Sequence, residues 1–380
     1  MRVWWLVMVV VLGAQESLGS RILMLTPIVF KSHTIFYRGV AKALVEHGHE
    51  VTQVLPFNNS AARGVREVVL PVPNIIDVMN SAFNDGTLGF MKFSSKLQSE
   101  LCIQALTSEE FLEIRKQHFD VVIFSEWMCY GVYEYISTLK VPFILIQGMG
   151  MEFSFNALNI GNPFFTSFVP NVFLDYSPRP DGLTYWERMV MTPLDMLMFL
   201  GDYANMNFVT PKYLKYKGIC SDDCPDLYTT RTNTSLLIIN SFKTMERVVQ
   251  PHVPAIIRAG GIHINHPKPL SPVLEEWVAG AGQEGFIFFS LGSVVKPSDM
   301  PENTRLILVK VLGSLKQRVL WKWDKDNMED LPSNVKISKW LPQQDILSHP
   351  KLELFMTHGG LHSSQEAFYN GVPVLGKGLL

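Results

Sequence analysis

Charge is scarce in this sequence: Asp, Glu, Lys and Arg make up 18% of its 380 residues, and the formal net charge is −2. No block of Lys or Arg occurs, so the electrostatic footprint of a nucleic-acid-binding protein is missing. A phosphate-bearing ligand stays compatible, because helix N-termini and backbone N–H groups bind phosphate without a basic surface. Cysteine is scarce too. Cys102, Cys129, Cys220 and Cys224 complete the set, and their spacing is not that of a zinc site. The dinucleotide fingerprint is absent: Gly148-Met149-Gly150 lacks the third glycine, and no ribose-binding acid follows in the right context. A nicotinamide-dependent enzyme is thereby disfavoured. His358 and His362 stand four apart, but the glycines between them and the missing Glu argue against a metal-binding helix. Past the N-terminus there is no unbroken apolar run of membrane-spanning length. Residues 189–209 come nearest, yet Pro193, Asp195 and Asp202 interrupt them, and they read as a buried or amphipathic helix pair.

What is present is apolar bulk. Hydrophobic residues reach 47%, and the chain is long enough for two domains with separate cores. Arg2 followed by the apolar residues 3–12, with small residues at Ser17 and Gly19, reads as a signal peptide over residues 1–19. That places the mature chain in the secretory pathway, where disulfides form. Cys220 and Cys224 lie close together, although sequence alone does not fix the pairing. The sequons Asn58-Asn59-Ser60 and Asn233-Thr234-Ser235 agree with this compartment.

Strand and helix patterns alternate twice. In the first half, strands are expected at 22–25, 51–55, 121–124, 143–146 and 236–240, with helices at 34–47 and 129–139. An irregular stretch rich in Pro, Phe, Met and Asn runs from about residue 148 to 231, a composition suited to pocket loops. In the second half, helices are expected at 271–279, 302–315 and 361–370, with strands at 286–291, 319–323, 335–338, 354–357 and 372–375. The domains are therefore expected at 20–265 and 272–380, joined by a linker at 266–271. Alternation of this kind predicts parallel sheets covered on both faces, with ligands at the carboxyl ends of the strands.

The most informative segment is His358-Gly359-Gly360-Leu361-His362-Ser363-Ser364-Gln365-Glu366, which joins a strand to a helix through two glycines. Two readings stand side by side. The turn lets a diphosphate approach the first-turn N–H groups, with Ser363 and His358 as further partners. Alternatively Ser363 and Glu366 form a capping box and the glycines merely make the turn.

The run Trp340-Leu341-Pro342-Gln343-Gln344-Asp345-Ile346-Leu347, followed by Phe355-Met356-Thr357-His358-Gly359-Gly360, resembles the signature of the UDP-glycosyltransferase family. Ser363, Glu366-Ala367, Gly371-Val372-Pro373 and Phe289-Ser290-Leu291-Gly292-Ser293 fit it as well. The branch is the animal one, of UDP-glucuronosyltransferases and arthropod UDP-glucosyltransferases. The resemblance implies an α/β fold of the GT-B kind, two facing Rossmann-like doubly wound domains with a cleft between them. The first domain would bind acceptor and the second the UDP-sugar. Trp340 would stack on uracil, Gln343 would bond the base or ribose, and Glu366 would hold the ribose hydroxyls. Ser293, His358, Gly360 and Ser363 would line the diphosphate, with no metal and no cofactor beyond the UDP-sugar co-substrate. Lys31-Ser32-His33 matches the place of the family's catalytic base, and a helix N-terminus there disfavours imidazolium. Glu126 is expected to orient His33, although the family's acid falls one residue earlier, at Ser125, so that a bulge would be needed to aim it.

The reaction so implied is inverting transfer of glucose or glucuronate to a hydroxyl of a small lipophilic acceptor, in the lumen of the endoplasmic reticulum. After Gly376 the family continues into an Asp-Gln pair that grips the sugar, then a membrane anchor. Here Lys377-Gly378-Leu379-Leu380 follows instead, so the second domain is expected to be incomplete and the anchor absent. A non-catalytic lumenal protein that binds acceptor, UDP or full-length relatives is the alternative. Homo- or hetero-oligomers with family members fit either reading.

Overall fold

The computed structural model describes residues 19–30, 32–57, 62–73, 75, 78, 97–126, 129–150, 154–163, 165–169, 182–246, 250–292 and 296–376. The expected signal peptide (up to residue 18), the Asn58 sequon, Ser293 and residues 377–380 lie outside them. The chain divides into two compact units, with the boundary between Gly260 and Gly261.

Seven parallel strands form the sheet of the first unit, in the order β3-β2-β1-β4-β5-β6-β7. They are β1 Arg21–Leu25, β2 Glu50–Leu55, β3 Val65–Val69, β4 Val121–Phe124, β5 Phe143–Gln147, β6 Leu236–Ile239 and β7 Ile256–Arg258. Side chains alternate strictly between two cores. Leu23, Leu25, Val122 and Phe124 join one, with helix α2 (Val132–Leu139). Ile22, Met24 and Ile123 join the other, with Phe36, Tyr37 and Val40 of helix α1 (His33–Glu46). A parallel strand buried on both faces needs such continuous apolar sequence, which is why β1 and β4 are legible. β3 and β7 escape the sequence reading for the opposite reason. β3 is an edge strand carrying Arg66 and Glu67, and β7 has three residues.

Residues 189–209 are not a buried pair. A single helix α3, Tyr185–Ala204, runs through Pro193 and continues into a wider turn, Asn205–Val209. Its buried positions are Met191, Asp195 and Asp202, while Trp186 and Leu197 are 74% and 66% exposed. Both acids that interrupt the apolar run are buried, and Asp202 has a buried partner in Arg231 of helix α4 (Leu227–Thr232). Periodicity cannot foresee such an inversion. Among the described residues no helix is long and apolar enough to cross a membrane.

The second unit has five parallel strands in the order β10-β9-β8-β11-β12. They are β8 Phe286–Ser290, β9 Arg318–Lys322, β10 Val335–Ser338, β11 Leu352–Thr357 and β12 Val374–Gly376. Phe288 and Phe355 stack on one face of the sheet, Phe289 and Trp321 on the other. Among the described residues, this unit's α-helices are α5 (Pro272–Ala279), α6 (Glu302–Gly313), α7 (Gln343–Leu347) and α8 (Leu361–Tyr369).

Each strand order reverses once, between β1 and β4 in the first unit and between β8 and β11 in the second. Loops leaving these neighbouring strands diverge to opposite faces, opening a crevice at their carboxyl ends.

The four cysteines pair as Cys102–Cys129 and Cys220–Cys224. The first spans 27 residues and the second 4. Replacing Cys102 and Cys129 by Ser should therefore cost about 2–4 kcal/mol, more than the same change at Cys220 and Cys224, because the longer loop constrains the unfolded chain more. Urea unfolding of the two double variants would check the ranking.

Candidate active site

In the first unit, His33 opens α1 at the β1/β4 crevice. Its N–H bonds Phe30 O at 2.9 Å, and its ring meets Phe30 edge-on at 5.5 Å. Gly148, at the end of β5, leaves room for that ring: a Cβ there would lie 2.9 Å from the Cβ of His33. Burial holds the His33 pKa at about 4, below its ordinary 6.5, so the ring is neutral at pH 7. Burial, rather than the expected helix-end effect, is the cause of this shift. One turn on, Tyr37 Oη lies 2.7 Å from Ser125 Oγ and accepts from Gly148 N–H at 3.1 Å. Asn240 Nδ2 donates to Gly148 O at 3.1 Å. The ends of β4, β5 and β6 are thus tied to α1 through Tyr37, a residue the sequence reading passed over.

The expectation for Glu126 needs correction. Residues 121 and 123 of β4 face α1, and 122 and 124 face the opposite core. Ser125 continues the first series and meets Tyr37, while Glu126 continues the second. The Cα register of β4 with β1 is unbroken through Phe124, so no bulge re-aims the carboxylate. Glu126 is buried, and its Oε1 accepts from Arg231 Nη1 at 2.8 Å. Arg231 also bonds both oxygens of Asp202, and Tyr130 Oη donates to Asp202 at 2.7 Å. Burial, and then the Asp202 charge, raise the pKa of Glu126 against the opposing pull of Arg231. Glu126 belongs to a buried ion cluster on the far side of the sheet from α1.

In the second unit, the loops after β8 and β11 flank the crevice. The His358 ring lies against Gly292 and Gly360; a Cβ on either would come within 2.6 Å of a ring atom. Burial lowers the pKa of His358, and its Nδ1 is buried without a hydrogen bond among the described residues. Gly360 caps α8 with no side-chain cap bond, which disposes of the capping box. Ser363 and Glu366 turn instead towards α7. Gln343 Nε2 donates to Ser363 Oγ at 3.0 Å and to Glu366 Oε2 at 2.6 Å. Gln344 Nε2 donates to Glu366 Oε1 at 2.9 Å. Trp340, in the turn before α7, is 73% exposed, which rules out core packing for its ring. The structure thus joins Gln343, Ser363 and Glu366 directly, and packs His358 on Gly360 at the start of the same helix.

Three further side chains belong to this edge. Lys322, the last residue of β9, donates from Nζ to Gly292 O at 3.0 Å. Gln344 and His263 both approach Glu366. Gln344 lies inside the Trp340 motif and could have been marked, whereas His263 sits in a stretch that reads as a domain end. No group of three or more His, Cys, Asp or Glu suited to a metal occurs among the described residues.

Two doubly wound parallel α/β units with polar clusters at their strand-order reversals fit the GT-B fold, and solved structures share that fold. A UDP-glucosyltransferase from Polygonum tinctorium, described as capable of glucosylating indoxyl, superimposes with a TM-score of 0.60 at 17% identity, covering 95% of this chain and 80% of that one. LpCGTa in complex with UDP gives 0.53 at 17% identity, covering 95% and 80%. The family model described as UDP-glucoronosyl and UDP-glucosyl transferase matches residues 78–380. UDP-glycosyltransferase UGT5 of Dactylopius coccus is 30% identical over 379 residues, covering 95% of this chain and 69% of that protein. Human UDP-glucuronosyltransferase 2B15 is 28% identical over 373 residues, covering 91% and 68%. The chain belongs to the UDP-glucuronosyl and UDP-glucosyl transferase family, whose reaction is hexosyl transfer from a UDP-sugar to an acceptor.

An exposed indole contributes little to folding and much to a stacked base. On the expectation that Trp340 stacks on uracil, Trp340→Ala should weaken UDP binding by about tenfold or more while leaving the melting temperature unchanged, as titration calorimetry and thermal unfolding would show.

Proposed function

We propose that this chain transfers glucose or glucuronate, with inversion, from a UDP-sugar to a hydroxyl of a small lipophilic acceptor, with His33 as the base. The observation that carries this reading is a histidine at the β1/β4 crevice whose burial keeps it neutral at physiological pH. The acceptor hydroxyl gives its proton to His33, and its oxygen attacks the anomeric carbon from the face opposite the diphosphate. The bond from that carbon to the diphosphate oxygen breaks, and UDP leaves. Trp340 and Gln343 would hold the base, and Glu366 the ribose. His358, Ser363 and the N-terminus of α8 would meet the diphosphate, with the Lys322 ammonium close behind Gly292. The Phe- and Met-rich middle of the chain suits an apolar acceptor. Two disulfides and an exposed Asn233 in its sequon support a lumenal setting.

The second reading, a lumenal binding protein without turnover, draws on one observation. Where the family's acid is expected stands Ser125, engaged by Tyr37, and Glu126 is committed to Arg231. Turnover decides between the two.

His33→Ala should lower kcat/KM by about a hundred- to ten-thousand-fold with UDP affinity unchanged. The same base fixes the sign of the pH dependence. A histidine must be neutral to accept a proton, and His33 stays so down to about pH 4 rather than 6.5. The acid limb of kcat/KM should accordingly fall near 4. Wild-type turnover by His33→Ala, or an acid limb at 6.5, would remove His33 from the role.

A further inference from the structure

The Glu366 carboxylate is buried, and its two oxygens have different partners. Oε2 shares the Gln343 amide with Ser363. Oε1 is held from another side by Gln344 Nε2 at 2.9 Å, and His263 Nε2 lies 3.5 Å away. Gln344 has only one sensible orientation. Its Oε1 accepts the backbone N–H of Asn265 at 3.0 Å, so its NH2 group must face Glu366. The same NH2 also approaches His263 O at 3.4 Å. His263 is itself buried, and both ring nitrogens lack a hydrogen bond among the described residues. Its ring packs edge-on against His362 in the first turn of α8, with centroids 4.9 Å apart. A buried imidazole without hydrogen bonds is costly to keep, and the Glu366 carboxylate stands 3.5 Å from its Nε2.

We infer that Gln344 and His263 are positioning residues for the nucleotide ribose: Gln344 bonds one oxygen of Glu366 and His263 walls that oxygen in at 3.5 Å, so that the other is presented in a fixed direction. The inference rests on the reading of Glu366 as the ribose-binding group. A carboxylate on a side chain with several rotatable bonds gains directional selectivity only when its neighbours lock it. Gln343 cannot supply that lock, because it is itself assigned to the ligand. Gln344 and His263 can, because the backbone of residues 263–265 closes the arrangement from behind.

The test compares UDP with 2′-deoxy-UDP by titration calorimetry on the full chain. Wild type should prefer UDP by roughly tenfold or more, the usual worth of a hydrogen bond to a charged group. Glu366→Gln should abolish that preference. If it does not, the ribose reading fails and the inference falls with it. Gln344→Ala and His263→Leu should bring the two nucleotides within about twofold, by weakening UDP while leaving 2′-deoxy-UDP unchanged. His263→Gln, which returns an N–H near the position of Nε2, should restore the preference. If Glu366→Gln abolishes the preference but Gln344→Ala keeps it, or if the variants weaken both nucleotides equally, the positioning role is overturned in favour of simple packing. Gln344 is partly exposed, so its variant decides the matter even if His263→Leu does not fold.

Discussion

Parallel strands buried on both faces constrain everything else in this molecule. Each strand residue must face one core or the other, and the choice alternates with no freedom. In the first unit this parity sends Ser125 to the side of α1 and Glu126 to the side of α2 and α4. A shift of one residue would exchange a hydroxyl for a carboxylate beside Tyr37. The chemistry available near His33 is therefore set by the register of β4, which the hydrogen bonds to β1 fix. In the second unit the same rule, with the strand-order reversal, brings Gly292 and His358 to adjacent strand ends.

Glu126, Asp202 and Arg231 carry the cost of that arrangement. Two carboxylates and one guanidinium sit among Tyr130, Tyr133 and Tyr228, with Arg231 fully buried. Burying ions this way adds little stability compared with an apolar core of the same shape, and removing one partner is expensive. Its physical effect is geometric. It fastens α3, α4 and the end of β4 to one another, and it explains why Asp202 of α3 is turned inward.

Much of the scaffold could be read directly. β1, β4, β5 and β8 are continuous apolar runs, and the helices after β1 and β11 have clear periods and glycines past their ends, so their bounds fall within a residue or two of those observed. β3 and β7 could not, being short edge strands with charged or few residues. The family motif likewise marks Trp340, Gln343, His358, Gly360, Ser363 and Glu366. It says nothing about which of them bond to one another, and it leaves out His263, which lies 103 residues before Glu366.

By itself the sequence determined the two-unit α/β architecture, the family, and the residue types at the strand ends. Those depend on local pattern and on a long motif, both written along the chain. Tertiary structure decided the partnerships: Glu126 with Arg231 rather than with the side of His33, Ser125 with Tyr37, and Glu366 with both glutamines and His263. A carboxylate's role follows from which charges and donors surround it once water is removed. That surrounding is assembled from residues far apart in sequence, so no local pattern encodes it.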